Sequence, residues 1–114
     1  NGFGTEFWLP QQGGKKSPRI KYKGQYLQNE RSGYGTQYTL SGKTLYFGSW
    51  KKNKLDGSGS MNFPESDILL YQGNFSDNQF SGDGVSYYRG TVGDRKNFLE
   101  QAFANLFRIL NSNY

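Results

Sequence analysis

The side chains in this chain that could do chemistry are few and scattered. The acids Glu65, Asp67, Asp77 and Asp83 fall in turn-like stretches or at strand ends, and no base is spaced to pair with them. There is no His, which removes the commonest general base and metal ligand. There is no Cys, which removes disulfides and thiolate metal sites. Gly33-Tyr34-Gly35 and its two relatives are followed by strand patterns, not helices, so they are no dinucleotide fingerprint. Asp56-Gly57-Ser58-Gly59 lacks the carboxylate spacing of a calcium loop. The reading is of no catalytic site, no metal and no cofactor, hence of a protein that is not an enzyme.

What remains is charge. The net formal charge is +5. Residues 1–60 hold ten Lys or Arg against three acids, and residues 61–114 hold four against six. Lys15, Lys16 and Arg19, with Lys21 and Lys23 just after, form the densest basic cluster, and Lys51, Lys52 and Lys54 form a second. Such clusters suit an acidic surface: an anionic lipid, an acidic protein tail or nucleic acid. They equally suit a plain solvated face. Surface tyrosines could stack on bases, but the aromatics have a structural role that makes nucleic acid the poorest of these partners.

That role comes from a repeat. Tyr22, Gly24, Tyr26, Asn29, Gly33 and Gly35 recur as Tyr46, Gly48, Trp50, Asn53, Gly57 and Gly59, and again as Tyr71, Gly73, Phe75, Asn78, Gly82 and Gly84. The copies start 24 and 25 residues apart, and the internal spacing is the same in each. A period of this size marks an array of stacked units. Tyr, Gly and the second aromatic alternate at period two, so they share one face of a strand. The Gly-x-Gly pair marks a second strand. Lys51 to Leu55 is the turn between them, with the Asn supplying a left-handed residue. Glycine weakens a strand unless something approaches its backbone closely. Here the expected visitor is an aromatic ring, so that the Tyr and Trp of one unit sit on the glycines of the next. Aromatics at 18% with hydrophobic residues at only 33% fit a thin sheet of rings on glycines.

Tyr-x-Gly-x-aromatic followed by Gly-x-Gly resembles the MORN repeat (membrane occupation and recognition nexus). The match covers roughly residues 22 to 90. The usual turn dipeptide Asn-Gly is replaced by Gln28-Asn29, Lys52-Asn53 and Asp77-Asn78. The resemblance implies a mainly β fold: an elongated antiparallel β-meander of about three hairpin units. It also implies a non-enzymatic scaffold or subunit that presents a flat β-surface to other proteins in a larger assembly. That assembly would be cytoskeletal, ciliary or membrane-adjacent, and its location intracellular, cytoplasmic or cytoskeleton-associated. The alternatives are a peripheral module that binds anionic lipid through its basic half, and an accessory region of a larger enzyme.

The ends differ from the middle. Residues 1–9 begin inside a unit, because Gly2 and Gly4 match Gly33 and Gly35. They are read either as part of something longer or as a half-unit that caps the array. Residues 10–19 are a basic Pro/Gly loop, and residues 20–93 are the three units. Over 94–114, Phe98, Phe103, Leu106, Phe107 and Leu110 recur at helical steps. An amphipathic helix is expected there, with Asp94 as its cap. It would dock on the third unit with one side and on a partner chain with the other.

Overall fold

The structure is a computed structural model, and it describes residues 2–9 and 19–85. Seven strands fill most of this span: β1 (Gly2–Phe7), β2 (Ile20–Leu27), β3 (Glu30–Tyr38), β4 (Thr44–Lys51), β5 (Lys54–Asn62), β6 (Leu69–Ser76) and β7 (Gln79–Val85). They form one antiparallel sheet in sequence order, with no crossover among the described residues. The mainly β meander expected from the repeat is therefore the observed fold. Lys15 and Lys16, and the stretch with Phe98, Phe103, Leu106, Phe107 and Leu110 for which the sequence predicts a helix, lie outside the described residues.

The hairpins β2–β3, β4–β5 and β6–β7 close in two residues each. Both residues have positive φ: Gln28 52° and Asn29 67°, Lys52 50° and Asn53 68°, Asp77 53° and Asn78 67°. Paired positive φ is the signature of the type I′ turn, whose twist matches that of the flanking strands. Such a turn uses only two residues. The expected five-residue turn from Lys51 to Leu55 is thus too long: Lys51 ends β4, Lys54 opens β5, and Leu55 is buried.

The turn asparagines also join one unit to the next. Asn53 accepts a hydrogen bond from the Arg31 amide through Oδ1 (2.8 Å), and its own amide donates to the Arg31 carbonyl (3.0 Å). Asn78 does the same to Leu55, at 2.8 and 3.0 Å. The tips of β4–β5 and β6–β7 are thus each clamped to the second strand of the unit before.

The two glycines of Gly-x-Gly do different work. Gly33, Gly57 and Gly82 have φ of 84°, 101° and 75°, the left-handed region that favours glycine. They sit in a bulge: Gly24 pairs Gly35 and Tyr26 pairs Arg31, so a two-residue step on β2 spans a four-residue step on β3. The pairs Gly48–Gly59 and Trp50–Leu55 repeat this in the next unit. The second glycine is the ring seat. A Cβ on Gly35, Gly59 or Gly84 would overlap the ring of Tyr22, Tyr46 or Tyr71 respectively. Each Tyr therefore lies over the glycines of its own hairpin, not of the next one as expected. Its hydroxyl donates to the carbonyl of the residue opposite the bulge: Tyr22 to Gln25 (3.0 Å), Tyr46 to Ser49 (2.8 Å), Tyr71 to Asn74 (3.1 Å). The second aromatic reaches the other way, to the preceding unit. Tyr26 covers Gly4, and Trp50 Nε1 donates to the Gly35 carbonyl (3.1 Å).

These rings form one continuous edge-to-face row through Tyr26, Tyr22, Trp50, Tyr46, Phe75 and Tyr71, with centroids 5.2 to 5.4 Å apart. Perpendicular aromatic pairs at this distance are favourable beyond their burial. Leu45 and Leu70 are extra residues in the pairing between units, and both are buried in the same core as the tyrosines that follow them. The core thus lies on one face of the sheet.

Two substitutions test these roles. Gly59→Ala is expected to cost about 1–3 kcal/mol in urea unfolding, the range for overpacking, and an unchanged midpoint would mean that no ring lies there. Asn53→Gly keeps positive φ but loses the carboxamide. It is expected to cost about 0.5–1.5 kcal/mol, the net value of one hydrogen bond, whereas a clamp without weight would leave stability at the wild-type value.

Candidate interaction surface

Strand alternation sends the residues between the core positions to the opposite face. Lys23, Thr36, Phe47, Ser60, Gln72 and Val85 stand in register across β2 to β7, with Thr5 beside Lys23 on β1. At the strand spacing of ~4.8 Å this row crosses roughly 29 Å. Beside it Phe3 pairs Gln25, and Tyr34 pairs Ser49. Gln25 Oε1 accepts from the Tyr34 amide (2.7 Å), which fixes the backbone beneath that ring. Phe3 is 83% exposed, Tyr34 60% and Phe47 54%. Large apolar side chains at such exposure, gathered on one face, mark an interaction surface more than isolated ones do. Sequence reading assigned no role to Phe3, Tyr34 or Phe47, and took Lys23 only as part of the basic cluster that begins at Lys15. The period-two pattern contained them, as the positions out of phase with Tyr, Gly and Trp.

The basic residues singled out in the sequence do not come together. Arg19 adjoins the start of β2, where Nη1 donates to the Leu40 carbonyl (3.1 Å). Lys51, Lys52 and Lys54 stand at the hairpin tips, at the other end of the strands. The eight residues of β2 separate the two ends by roughly 26 Å. All three lysines are exposed, but Lys54 Nζ is paired with Asp77 at 2.8 Å. That partner raises the Lys54 pKa above its ordinary value. The loops between units are also linked. Thr39 donates to Glu65 Oε1 (2.7 Å), Ser41 donates to the same oxygen, and Lys43 meets Asp67 at 3.3 Å. The Ser41 hydrogen bond, chiefly, holds the Glu65 carboxyl below its usual range.

A second polar group lies on the core face. Arg31 is buried and makes a two-point contact with Glu6: Nε to Oε2 at 2.8 Å and Nη2 to Oε1 at 2.9 Å. Its Nη1 donates to Gln37 Oε1 (2.8 Å), and Tyr26 donates to Glu6 Oε2 (2.6 Å). The guanidinium lies 4.4 Å from the Tyr22 ring centre and 4.8 Å from that of Trp50. Lys21 lies over Trp8 at 4.9 Å. Burial alone would raise the Glu6 carboxyl, but the Arg31 and Tyr26 hydrogen bonds outweigh it and leave the pKa lowered. Burial lowers the Lys21 pKa, and the Arg31 charge lowers it further. Burial pushes Tyr22 up to about 12. Glu6, Tyr26, Arg31 and Gln37 are all partnered within the fold, so the cluster is structural. Among the described residues no group of three or more His, Cys, Asp or Glu is placed to hold a metal ion.

One face filled by its own rings, the other open, and units joined tip to strand define a single-sheet repeat protein whose available feature is a surface. Comparison with known proteins gives the family. The MORN repeat family model matches residues 22–42, 46–68 and 71–90, more than half of the chain, and the chain belongs to that family. It is 36% identical over 72 residues to MORN repeat-containing protein 3 of Xenopus laevis. The match covers 60% of this chain and 30% of that relative, so the chain spans under a third of the relative's length. No solved structure matches significantly.

The polar cluster makes stability depend on pH in two windows. Because the Glu6 pKa is lowered on folding, its contribution is complete above the ordinary carboxylate range and is lost as pH falls through its folded value. Because the Tyr22 pKa is raised, its contribution is complete below pH 10 and fades as pH rises toward about 12. Glu6→Gln is expected to flatten the acid limb of a stability-versus-pH curve and to lessen the alkaline limb without abolishing it, because burial, the largest cause of the Tyr22 shift, remains. An acid limb identical in Glu6→Gln and wild type would contradict the assignment.

Proposed function

We propose that this chain is a non-enzymatic interaction module that binds other proteins through its open sheet face. The observation that carries the reading is the exposure of Phe3, Tyr34 and Phe47 on a face that the fold itself does not need. The core rings satisfy their hydroxyls and seats internally, so the opposite face is free to vary with its partner. Membership of the MORN repeat family supports a repeat module and is compatible with protein or membrane association. The module serves as a scaffold or subunit within a larger intracellular assembly of cytoskeletal, ciliary or membrane-adjacent type. A second reading rests on Lys51 and Lys52, which are exposed and have no ion-pair partner among the described residues. On that reading the hairpin tips meet anionic lipid.

A photoreactive phenylalanine placed at Phe47 separates the two, with a second placed at Lys52 as the comparison. In the full-length protein in cells, position 47 is expected to cross-link to protein and position 52 to give little. Cross-links to lipid from position 52, with none to protein from position 47, would overturn the interaction reading.

A further inference from the structure

The open face has a chemistry as well as an exposure. Lys23 stands on β2, one strand in from the β1 edge, with Thr5 on one side and Thr36 on the other, and Phe47 follows on β4. Lys23 is exposed and has no ion-pair partner among the described residues. The carboxylates that could have neutralised it are engaged or distant. Glu6 points to the core face and holds Arg31. Asp77 holds Lys54 at the hairpin tips. Glu30 opens β3 opposite Leu27, four residues along β2 from Lys23. That separation is roughly 13 Å along the strand. The β1 end of this face therefore carries a lone cation, with Phe3, Tyr34 and Phe47 on β1, β3 and β4, continued by Thr36, Ser60 and Gln72, which both donate and accept hydrogen bonds.

We propose that this face takes an acidic protein segment, with a carboxylate on Lys23 and apolar side chains over Tyr34 and Phe47. The inference rests on the reading of this face as an interaction surface, and it names the partner's chemistry. Closing apolar groups around Lys23 lowers the local dielectric, which strengthens its attraction for a carboxylate. A lone cation with hydroxyl and amide neighbours suits a peptide. Anionic membranes and nucleic acids are held instead by runs of clustered cations.

The test uses two short synthetic peptides, one alternating Glu with Leu and Phe, the other with Lys in place of each Glu. Binding to the whole chain is measured by titration calorimetry, with Lys23→Glu, Lys51→Glu and the Tyr34→Ser/Phe47→Ser pair as variants. Thermal melting checks that each variant is folded. The Glu peptide is expected to bind wild type and Lys51→Glu alike. It is expected to lose at least about tenfold on Lys23→Glu and on the aromatic pair. The Lys peptide is expected to prefer Lys23→Glu, a reversal that a lost fold cannot produce. Equal binding of the Glu peptide to wild type and Lys23→Glu would overturn the proposal. So would a loss that follows Lys51→Glu, or phosphatidylserine vesicles binding where the Glu peptide does not. If position 47 cross-links to protein while Lys23→Glu changes nothing, the interaction reading stands and the acidic-partner inference falls.

Discussion

A tyrosine ring lying flat over a glycine, with its hydroxyl on a nearby carbonyl, is the contact on which this sheet depends. Tyr22, Tyr46 and Tyr71 each make it, in Gly35, Gly59 and Gly84 respectively. The seat exists because the second glycine has no side chain, and because the first takes positive φ and bulges the strand. The bulge withdraws Gln25 or Ser49 from regular pairing with the second strand of its hairpin, and the phenol donates to that residue's carbonyl; in the third unit Asn74 stays paired with Ser81, and the Tyr71 phenol still donates to the Asn74 carbonyl. One side chain thus fills space, buries its ring and satisfies a backbone acceptor that would be costly unpaired. With the core built from rings laid on their own strands, one face is committed and the other is left to partners.

The core changes character along the array. Leu55 and Phe80 take the place of Arg31 in the later units, Leu45 and Leu70 that of Lys21, and Met61 that of Glu6 and Gln37. The first junction is held by a partly buried ion pair and its hydrogen bonds, and the later ones by apolar contact. Ion pairs in such a site contribute less net stability than apolar packing but are costly to break from one side. The β1 junction is therefore the one most sensitive to acid and to loss of a single partner, whereas the Leu55 and Met61 junctions answer to volume.

What could be read from the sequence was whatever local spacing encodes. Period-two alternation of Tyr46, Gly48 and Trp50 located the strands and their shared face, and Asn53 marked its turn. Spacing could not tell the two glycines apart. Gly57 is a conformational glycine and Gly59 a steric one, and that distinction needs φ. Nor did spacing show which unit's glycines a ring would cover, since both directions satisfy the same period. The Arg31–Glu6 pair joins residues 25 apart, and the Asn53–Arg31 clamp joins residues 22 apart, so both appear only once strands are in register. Lys54 looked like part of a free basic cluster until β6 and β7 brought Asp77 to it. Tyr34 and Phe47 were visible in the same alternation, but the aromatic signal of the repeat drew attention to the wrong phase.

Nitration of tyrosines by tetranitromethane, mapped by mass spectrometry on the folded chain, tests the two-faced account most directly. Tyr34 is 60% exposed, while Tyr22 and Tyr46 are fully buried and Tyr71 nearly so. The account predicts rapid modification of Tyr34, with Tyr22, Tyr46 and Tyr71 protected until the sheet unfolds. Modification of Tyr46 as fast as Tyr34, in protein that remains folded, would contradict it.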